Sequence, residues 1–141
     1  MATRQILLND HYYTQAYDPL TLLSSAAATT SKIKLGTLVM ANDFRHPANV
    51  AKSAAAAHIL SKGRLELGMG TGWMKQDYDM AGIKPDSPIV RINRLEEASK
   101  IIKSMWINEK TTFHGKHYYI IEMDKAGDLS EGDCPKILVG G

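Results

Sequence analysis

The stretch Arg64-Leu65-Glu66-Leu67-Gly68-Met69-Gly70-Thr71-Gly72-Trp73 decides the fold, because a short apolar run gives way to alternating glycines and then a tryptophan. It predicts a buried strand over residues 64–70 that opens into a site, since glycine at a strand end marks a bulge or a close ligand approach. A G-x-G-x-x-G dinucleotide loop would need a third small residue, and Trp73 and Lys75 occupy both candidate positions. The stretch is therefore either a glycine-lined functional strand end or a structural bulge.

On its N-terminal side, the chain alternates strands and helices. The expected elements are strands over 5–9 and 34–40 and helices over 20–31 and 47–60. Asp18 before Pro19 is a typical helix start, and Gly63 follows the second helix at the place of a C-cap. The βα unit therefore occurs twice before the opening stretch.

On its C-terminal side, a loop with Gly82, Pro85 and Pro88 precedes further elements. These are a helix over 90–106, a small hairpin of 111–113 and 117–121, and a strand over 135–141. The helix carries one apolar face and an i,i+4 pair of Glu96 and Lys100. We expect the apolar face to join the core; it comprises Ile92, Leu95, Ile102 and Met105.

Alternating strands and helices predict an α/β fold with a parallel sheet, in which ligands bind at the carboxyl ends of the strands. Four such ends are expected, at Asp10-His11, Val39 to Asn42, Gly70 to Trp73, and Gly140-Gly141. A (β/α) barrel takes about 250 residues. Residues 1–141 are therefore either half a barrel or an open sheet, in one domain.

Composition narrows the range of functions. The chain has 141 residues, 44% of them apolar, and a formal charge of +2 from 17 basic and 15 acidic side chains. Since the charges form no blocks and no apolar run is long enough for a bilayer, we expect neither a nucleic-acid nor a membrane partner. A single cysteine, Cys134, fits a reducing compartment. We expect a cytoplasmic protein that acts on a small molecule and forms a homo-oligomer.

Several motifs, taken in order, resemble the bacterial-luciferase-like oxidoreductases, which use reduced FMN or the 5-deazaflavin coenzyme F420. The motifs are Asp10-His11, Asp18-Pro19-Leu20, Leu35 to Val39, Phe44-Arg45-His46-Pro47, Leu60 to Gly68, Gly70 to Trp73, Arg94 to Glu97, Phe113-His114-Gly115 and Ile137 to Gly141. The resemblance implies a partial (β/α)8 barrel that matches the second to fifth barrel strands.

The same resemblance implies a cofactor site. In such enzymes the ring lies across the strand ends, often beside a non-proline cis peptide, which would here be Leu38-Val39. The implied cofactor contacts are Leu38, Val39, Ala41, Asn42, Gly70, Gly72, Trp73, Gly140 and Gly141. The last two glycines match backbone donors to the cofactor phosphate.

The resemblance also implies the catalytic pair. His11 matches a histidine that faces the ring and exchanges protons with substrate, a role that suits imidazole. The bland alternative is a histidine that caps a strand end. We expect Asp10 to orient His11 or to bind the polar edge of the ring.

Trp73 stands where some sugar-phosphate-oxidising relatives place a carboxylate. An indole suits an apolar or aromatic substrate, although Trp73 could equally be a wall of the core.

The remaining candidates are weaker. His114 and His117 have metal-ligand spacing but no acidic or cysteine company, so we expect no metal site. We expect His46 to be a helix cap and His58 to lie on a helix surface.

The sequence thus favours a luciferase-like oxidoreductase or monooxygenase with coenzyme F420 first and FMN next. The deazaflavin preference comes from residues 42–47 and 72–74. The alternative is a non-enzymatic half-barrel that binds flavin or associates with another chain.

Overall fold

A computed structural model describes residues 5–8, 10, 11 and 17–140. Its main sheet is parallel throughout, with strands β1 (Gln5–Leu8), β2 (Lys34–Thr37), β3 (Met40–Ala41), β4 (Leu65–Gly70) and β7 (Lys136–Gly140). β1 pairs with β2, whereas β2 and β3 pair with the first and last parts of β4. β7 pairs with the opposite side of β4, from Glu66 to Gly70.

One predicted strand is divided in two. The expected strand over 34–40 is interrupted at Leu38 and Val39, whose peptide bond is cis. The cis bond implied by the resemblance is thus present. Because β2 and β3 occupy one strand position beside β4, the sheet has the four strand positions that the sequence predicted.

Helices connect these strands. They are α1 (Pro19–Thr29), α2 (Pro47–Leu60), α3 (Lys75–Ala81) and α4 (Pro88–Ile107). An antiparallel hairpin, β5 (Lys110–His114) and β6 (Tyr119–Asp124), follows α4, and 3₁₀ turns span Asn42–Phe44 and Glu131–Asp133. The short helix α3 lies where the sequence predicted only a loop. It lacks the usual start signal, because no side-chain hydrogen bond caps it at Met74.

The helix starts confirm the predicted caps. The Asp18 carboxylate accepts a hydrogen bond from the Thr21 backbone N–H at 2.8 Å. His46 Nδ1 accepts one from the Ala48 N–H at 3.3 Å, so His46 is the cap that the sequence predicted.

The end of α2 differs in detail from the prediction. Lys62, not Gly63, is the first left-handed residue after the helix, with φ of 56°. The Lys62 and Gly63 N–H groups donate to the carbonyls of Ile59 and His58, both at 3.0 Å. This is a Schellman ending in which Ser61 is the C-cap, and Gly63, the residue predicted for that position, lies two residues further on.

The core lies between the sheet and helices α1, α2 and α4. α2 packs closely because its inward positions are alanines, with Ala51, Ala54 and Ala57 fully buried. The buried stripe of α4 begins at Leu95 and ends at Trp106. Ile92 was expected in this stripe but is 52% exposed, because it lies one turn before the part of α4 that enters the core. The predicted Glu96–Lys100 pair is present at 2.6 Å.

Arg64 connects the ends of helices α1 and α2 at the amino ends of the strands, opposite the carboxyl ends. Its guanidinium donates to the backbone carbonyls of Ala27, Thr30 and Ile33 at 2.7 to 3.0 Å. Its Nε donates to the Ser61 carbonyl at 2.6 Å. Orphan carbonyls after α1 and α2 are thereby satisfied, so the residues that precede β4 serve the scaffold.

None of the helices in the described part of the chain combines the length and apolar character needed to cross a membrane.

Candidate functional site at the strand ends

A cavity of about 410 Å³ opens at the carboxyl ends of the strands. Its size falls within the range of small-molecule sites. The lining residues are Asp10, His11, Leu38, Val39, Ala41, Phe44, Gly70, Thr71, Gly72, Trp73, Met74, Asp77, Arg91 and Gly140. The four strand ends predicted from the sequence therefore all contribute residues to one cavity.

Val39 forms the middle of the cavity floor, between two glycines of neighbouring strands. A Cβ built on Gly70 would lie 2.7 Å from Val39 Cγ2, and one on Gly140 would lie 2.8 Å from Val39 Cγ1. Both distances are shorter than carbon atoms tolerate. Both positions therefore need glycine to leave room for the Val39 side chain. The sequence alone could not show whether these glycines make room for a side chain or for a ligand.

Gly72 makes room for a different internal group. It has φ of 74°, and a Cβ there would lie 2.4 Å from the hydroxyl of Tyr78. That hydroxyl lies 2.9 Å from an Asp43 carboxylate oxygen and 3.2 Å from the Thr71 carbonyl, within hydrogen-bonding distance of both. Burial raises the pKa of Tyr78, so the phenol is protonated and can donate to these acceptors. The loop that carries Trp73 is thus tied to α3 and to the turn after β3.

His11 is oriented by a carboxylate, but not by the expected one. Its Nδ1 lies 2.7 Å from Asp77 Oδ2, and the Asp77 side chain is 3% exposed. A carboxylate accepts the Nδ1 proton, so the neutral imidazole keeps Nε2 as its basic nitrogen. Asp77 lies in α3, the helix that the sequence did not predict, and this is why the pairing was missed.

Asp10 instead pairs with Arg45, which also contacts Asp18 at 2.6 Å. Asp77 thus takes the place beside His11 that the sequence analysis offered to Asp10, whereas the alternative contact of Asp10 with the polar edge of the ring stays a prediction. Burial raises the pKa of Asp10 above its ordinary value, and the charge and hydrogen bond of Arg45 offset only part of that effect. The Arg45 bridge joins the end of β1 to the start of α1 and so fixes one side of the cavity.

Asn42 does not line the cavity, although the resemblance implied a cofactor contact. It is 3% exposed, and its Nδ2 donates to the Tyr118 hydroxyl at 3.1 Å. Its side chain therefore connects the turn after β3 to the β5–β6 hairpin. Ala41 does line the cavity, as do Leu38, Gly72 and Trp73.

Arg91 is a cavity residue that sequence reasoning did not identify. Its Nη1 donates to the Gly72 carbonyl, and its Cζ lies 5.9 Å from the centre of the Tyr78 ring. The Arg91 Nε is buried without a hydrogen-bond partner among the described residues. Its position in the first turn of α4 gave no local signal, because only the fold brings that turn to the cavity.

The other predicted residues lie elsewhere. Gly140 lines the cavity, whereas Gly141 is outside the described residues. His58 was expected on a helix surface but is 4% exposed, because the turn that precedes β7 covers it and places Asp133 3.5 Å from its Nε2. Within the described ranges no group of three or more His, Cys, Asp or Glu side chains could hold a metal ion.

The cavity combines an apolar floor with a few polar groups at its rim. Val39, Gly70 and Gly140 provide a floor without protruding polar groups, and His11 and Arg91 supply polar atoms at the rim. A parallel α/β sheet with such a cavity is typical of the α/β proteins that bind small molecules at the carboxyl ends of their strands.

Comparison with known proteins identifies the family. Residues 4–141 match the profile of the luciferase-like monooxygenases, and the chain belongs to this family. The chain is 29% identical over 123 residues to an F420-dependent glucose-6-phosphate dehydrogenase of Amycolatopsis mediterranei. This alignment covers 86% of the chain and 37% of that protein.

Solved structures agree with this assignment. The coenzyme F420-dependent tetrahydromethanopterin reductase of Methanopyrus kandleri superposes with a TM-score of 0.81 and 26% identity, over 98% of this chain and 42% of that one. The FMN complex of the oxygenating constituent of 3,6-diketocamphane monooxygenase from Pseudomonas putida superposes with a TM-score of 0.80 and 25% identity. The match covers 98% of this chain and 41% of that one. The fold is thus the predicted partial (β/α) barrel, and the chain spans about two fifths of the length of these relatives.

Proposed function

We propose that this chain is the cofactor-binding part of an oxidoreductase that holds a flavin-type cofactor at the strand-end cavity and acts on a small organic substrate. Coenzyme F420 is the favoured cofactor and FMN the next. The observation that carries the proposal is the apolar floor around Val39 with the His11–Asp77 pair at its rim.

The floor residues would hold the ring, and the rim would hold the substrate. Val39, Gly70 and Gly140 leave a flat surface, while Leu38 and Ala41 border it. The cofactor, when bound, supplies hydride transfer or, as reduced FMN, oxygen activation. The protein's part is to orient both molecules and exclude water.

His11 would exchange a proton with the substrate through Nε2. Asp77 fixes the ring by holding Nδ1 at 2.7 Å, which is the usual relation between a catalytic imidazole and its carboxylate. Asp10, bound by Arg45, would maintain the cavity wall rather than act as a base.

The deazaflavin preference rests on the relatives and on local sequence. F420-dependent enzymes occur among the relatives, and residues 42–47 and 72–74 resemble that branch most. FMN remains the second choice because a solved relative binds it.

Titration of the purified chain with each cofactor tests the proposal. We expect saturable binding of F420, followed by its absorbance, at lower concentration than binding of FMN. Tight binding of FMN alone would reverse the preference, and failure of both to bind would reject the function. His11→Gln is the matched variant: it should bind cofactor normally but lose reduction of F420 with a panel of small alcohols.

The second candidate function is a non-enzymatic chain that binds flavin or associates with another chain. Its support is the exposure of apolar side chains in β7, where Leu138 and Val139 are 46% and 70% exposed. Reduction of F420 by the isolated chain and a substrate would exclude this alternative.

A further inference from the structure

We propose that Trp73 is a stacking surface for a flat, apolar ring of the substrate, and that it selects against sugar phosphates. The inference rests on the proposed function in one respect, because it takes His11 as the group that exchanges a proton with the substrate.

The first support is the exposure of the indole. Trp73 lines the cavity and yet is 75% exposed, so one of the largest apolar side chains of the protein has most of its surface uncovered at the cavity mouth. Covering such a surface with another ring is favourable by area and by ring geometry.

The second support is that the backbone of Trp73 is fixed. On its N-terminal side the Gly72 carbonyl accepts a hydrogen bond from Arg91, and the Thr71 carbonyl lies 3.2 Å from the Tyr78 hydroxyl. The next residue, Met74, precedes α3 directly. The indole therefore projects from an anchored loop, as a preorganised binding surface should.

The third support is the position of His11. The two ring centres are 6.4 Å apart with an interplanar angle of 87°. A molecule that stacks on Trp73 thus lies next to the imidazole, and a proton-transfer group must reach the substrate itself. This favours the substrate, and not the cofactor on the Val39 floor, as the occupant.

The fourth support is chemical. The cavity that Trp73 lines also contains Leu38, Phe44 and Met74, whose side chains offer no hydrogen bonds to the hydroxyls of a sugar. A polyol packed against the indole and these side chains would leave the hydroxyl groups that face them without partners, which is costly.

Nuclear magnetic resonance of the ¹⁵N-labelled chain tests the inference, because the sequence has two tryptophans. Trp106 is buried and its Nε1 donates to the Ala51 carbonyl at 2.9 Å, so its indole signal is an internal control. The probes are naphthol, cyclohexanol and glucose 6-phosphate, each added to the cofactor-loaded chain.

We expect naphthol to shift the Trp73 indole signal and leave Trp106 unchanged, with weaker effects of cyclohexanol and none of glucose 6-phosphate. Trp73→Leu should weaken naphthol binding about three- to tenfold, whereas Trp73→Phe should keep it within about twofold, since a ring remains.

Three results would overturn the inference. Naphthol could fail to shift the Trp73 indole signal, or it could bind Trp73→Leu as tightly as the wild type. The cofactor alone could also shift the Trp73 signal, with no further shift when naphthol is added. Cofactor binding is followed separately by absorbance. If neither cofactor binds, the proposed function fails, but the naphthol titration of the cofactor-free chain still decides the role of Trp73.

Discussion

At the scale of single residues, the site depends on pairs of side chains from distant parts of the sequence. His11 follows β1 and Asp77 belongs to α3, yet they are 2.7 Å apart. Val39 fills the space left by Gly70 of β4 and Gly140 of β7. Each pair can be tested by changing one partner and then the other.

The His11–Asp77 pair predicts a change of tautomer. In Asp77→Asn, Nδ1 loses its carboxylate acceptor, so the fraction of neutral His11 protonated at Nδ1 should fall. Long-range ¹H–¹⁵N correlation spectra measure this fraction, with His11→Gln identifying the signals. Asp79→Asn, which removes an exposed carboxylate two residues away, should leave the His11 signals unchanged. Identical spectra for Asp77→Asn and the wild type would contradict the pairing.

The Val39 contact predicts a rescue. Gly70→Ala should lower the free energy of unfolding by about 1 to 3 kcal/mol, because the new Cβ would lie 2.7 Å from Val39 Cγ2. Adding Val39→Ala should recover most of this loss, as coupled neighbours do. Denaturant unfolding of the four proteins of this cycle measures both effects.

Gly68→Ala is the control for that cycle. A Cβ at Gly68 would lie 2.0 Å from the Thr37 carbonyl oxygen, which is backbone, so Val39→Ala should not rescue it. Additive losses for Gly70→Ala and Val39→Ala would show that Val39 does not fill the space above Gly70.

At the scale of elements, a carboxylate of α4 anchors the turn of the β5–β6 hairpin. Glu97 accepts hydrogen bonds from the backbone N–H groups of Lys116, His117 and Tyr118 at 2.8, 2.9 and 3.1 Å. Desolvation opposes ionisation of Glu97, but these three bonds outweigh it and lower the pKa of its carboxyl group. Through Tyr118 and Asn42 the hairpin then supports the turn after β3.

This anchor predicts a pH-dependent loss. Glu97→Gln should destabilise the chain by about 1 kcal/mol near pH 7, which is less than is usual for hydrogen bonds to a charged group because solvent screens this partly exposed carboxylate. A lowered pKa means that the stabilisation is complete above the ordinary value of 4.5 and is lost as the pH falls through the folded-state pKa. The difference between variant and wild type should therefore narrow below that value.

Thermal unfolding across this pH range checks the sign. Glu96→Gln is the matched control, since Glu96 pairs only with the exposed Lys100 on the same helix in the described structure. A Glu97→Gln difference that stays constant down to acidic pH would contradict the anchor.

The elements also show how far the sequence could be interpreted. Apolar runs, proline starts and glycine ends located the four strand positions and helices α1, α2 and α4, because those signals are local. The sequence did not predict α3, because this helix is short and has no side-chain cap. The roles of Asp77 and Tyr78, which lie in α3, were therefore not predicted either. Arg91 was missed because only tertiary structure brings it to the strand ends. The glycines were correctly placed at the cavity, but their internal occupants, Val39 and Tyr78, require coordinates.

At the scale of the whole molecule, the main sheet has two edges, at β1 and β7, that pair with no further described strand. β1 pairs only with β2, and β7 only with β4, among the described strands. Apolar side chains on these edge strands are exposed to solvent, Leu7 by 45% and Val139 by 70%. Open edges with exposed apolar residues favour association.

We therefore expect the 141-residue chain to self-associate. Sedimentation velocity at rising concentration should show a dimer or larger species, and Val139→Lys should shift the distribution toward monomer. A compact monomer at all concentrations would contradict this expectation.

The binding footprint of the cofactor tests the strand-end site most directly. In amide spectra of the ¹⁵N-labelled chain, F420 or FMN should shift the signals of Val39, Gly70 and Gly140, while Gly63 at the opposite end of β4 stays unchanged. This result would place the ring on the strand-end floor. Saturable binding whose shifts centre elsewhere, or no binding of either cofactor, would contradict cofactor binding at the strand-end cavity.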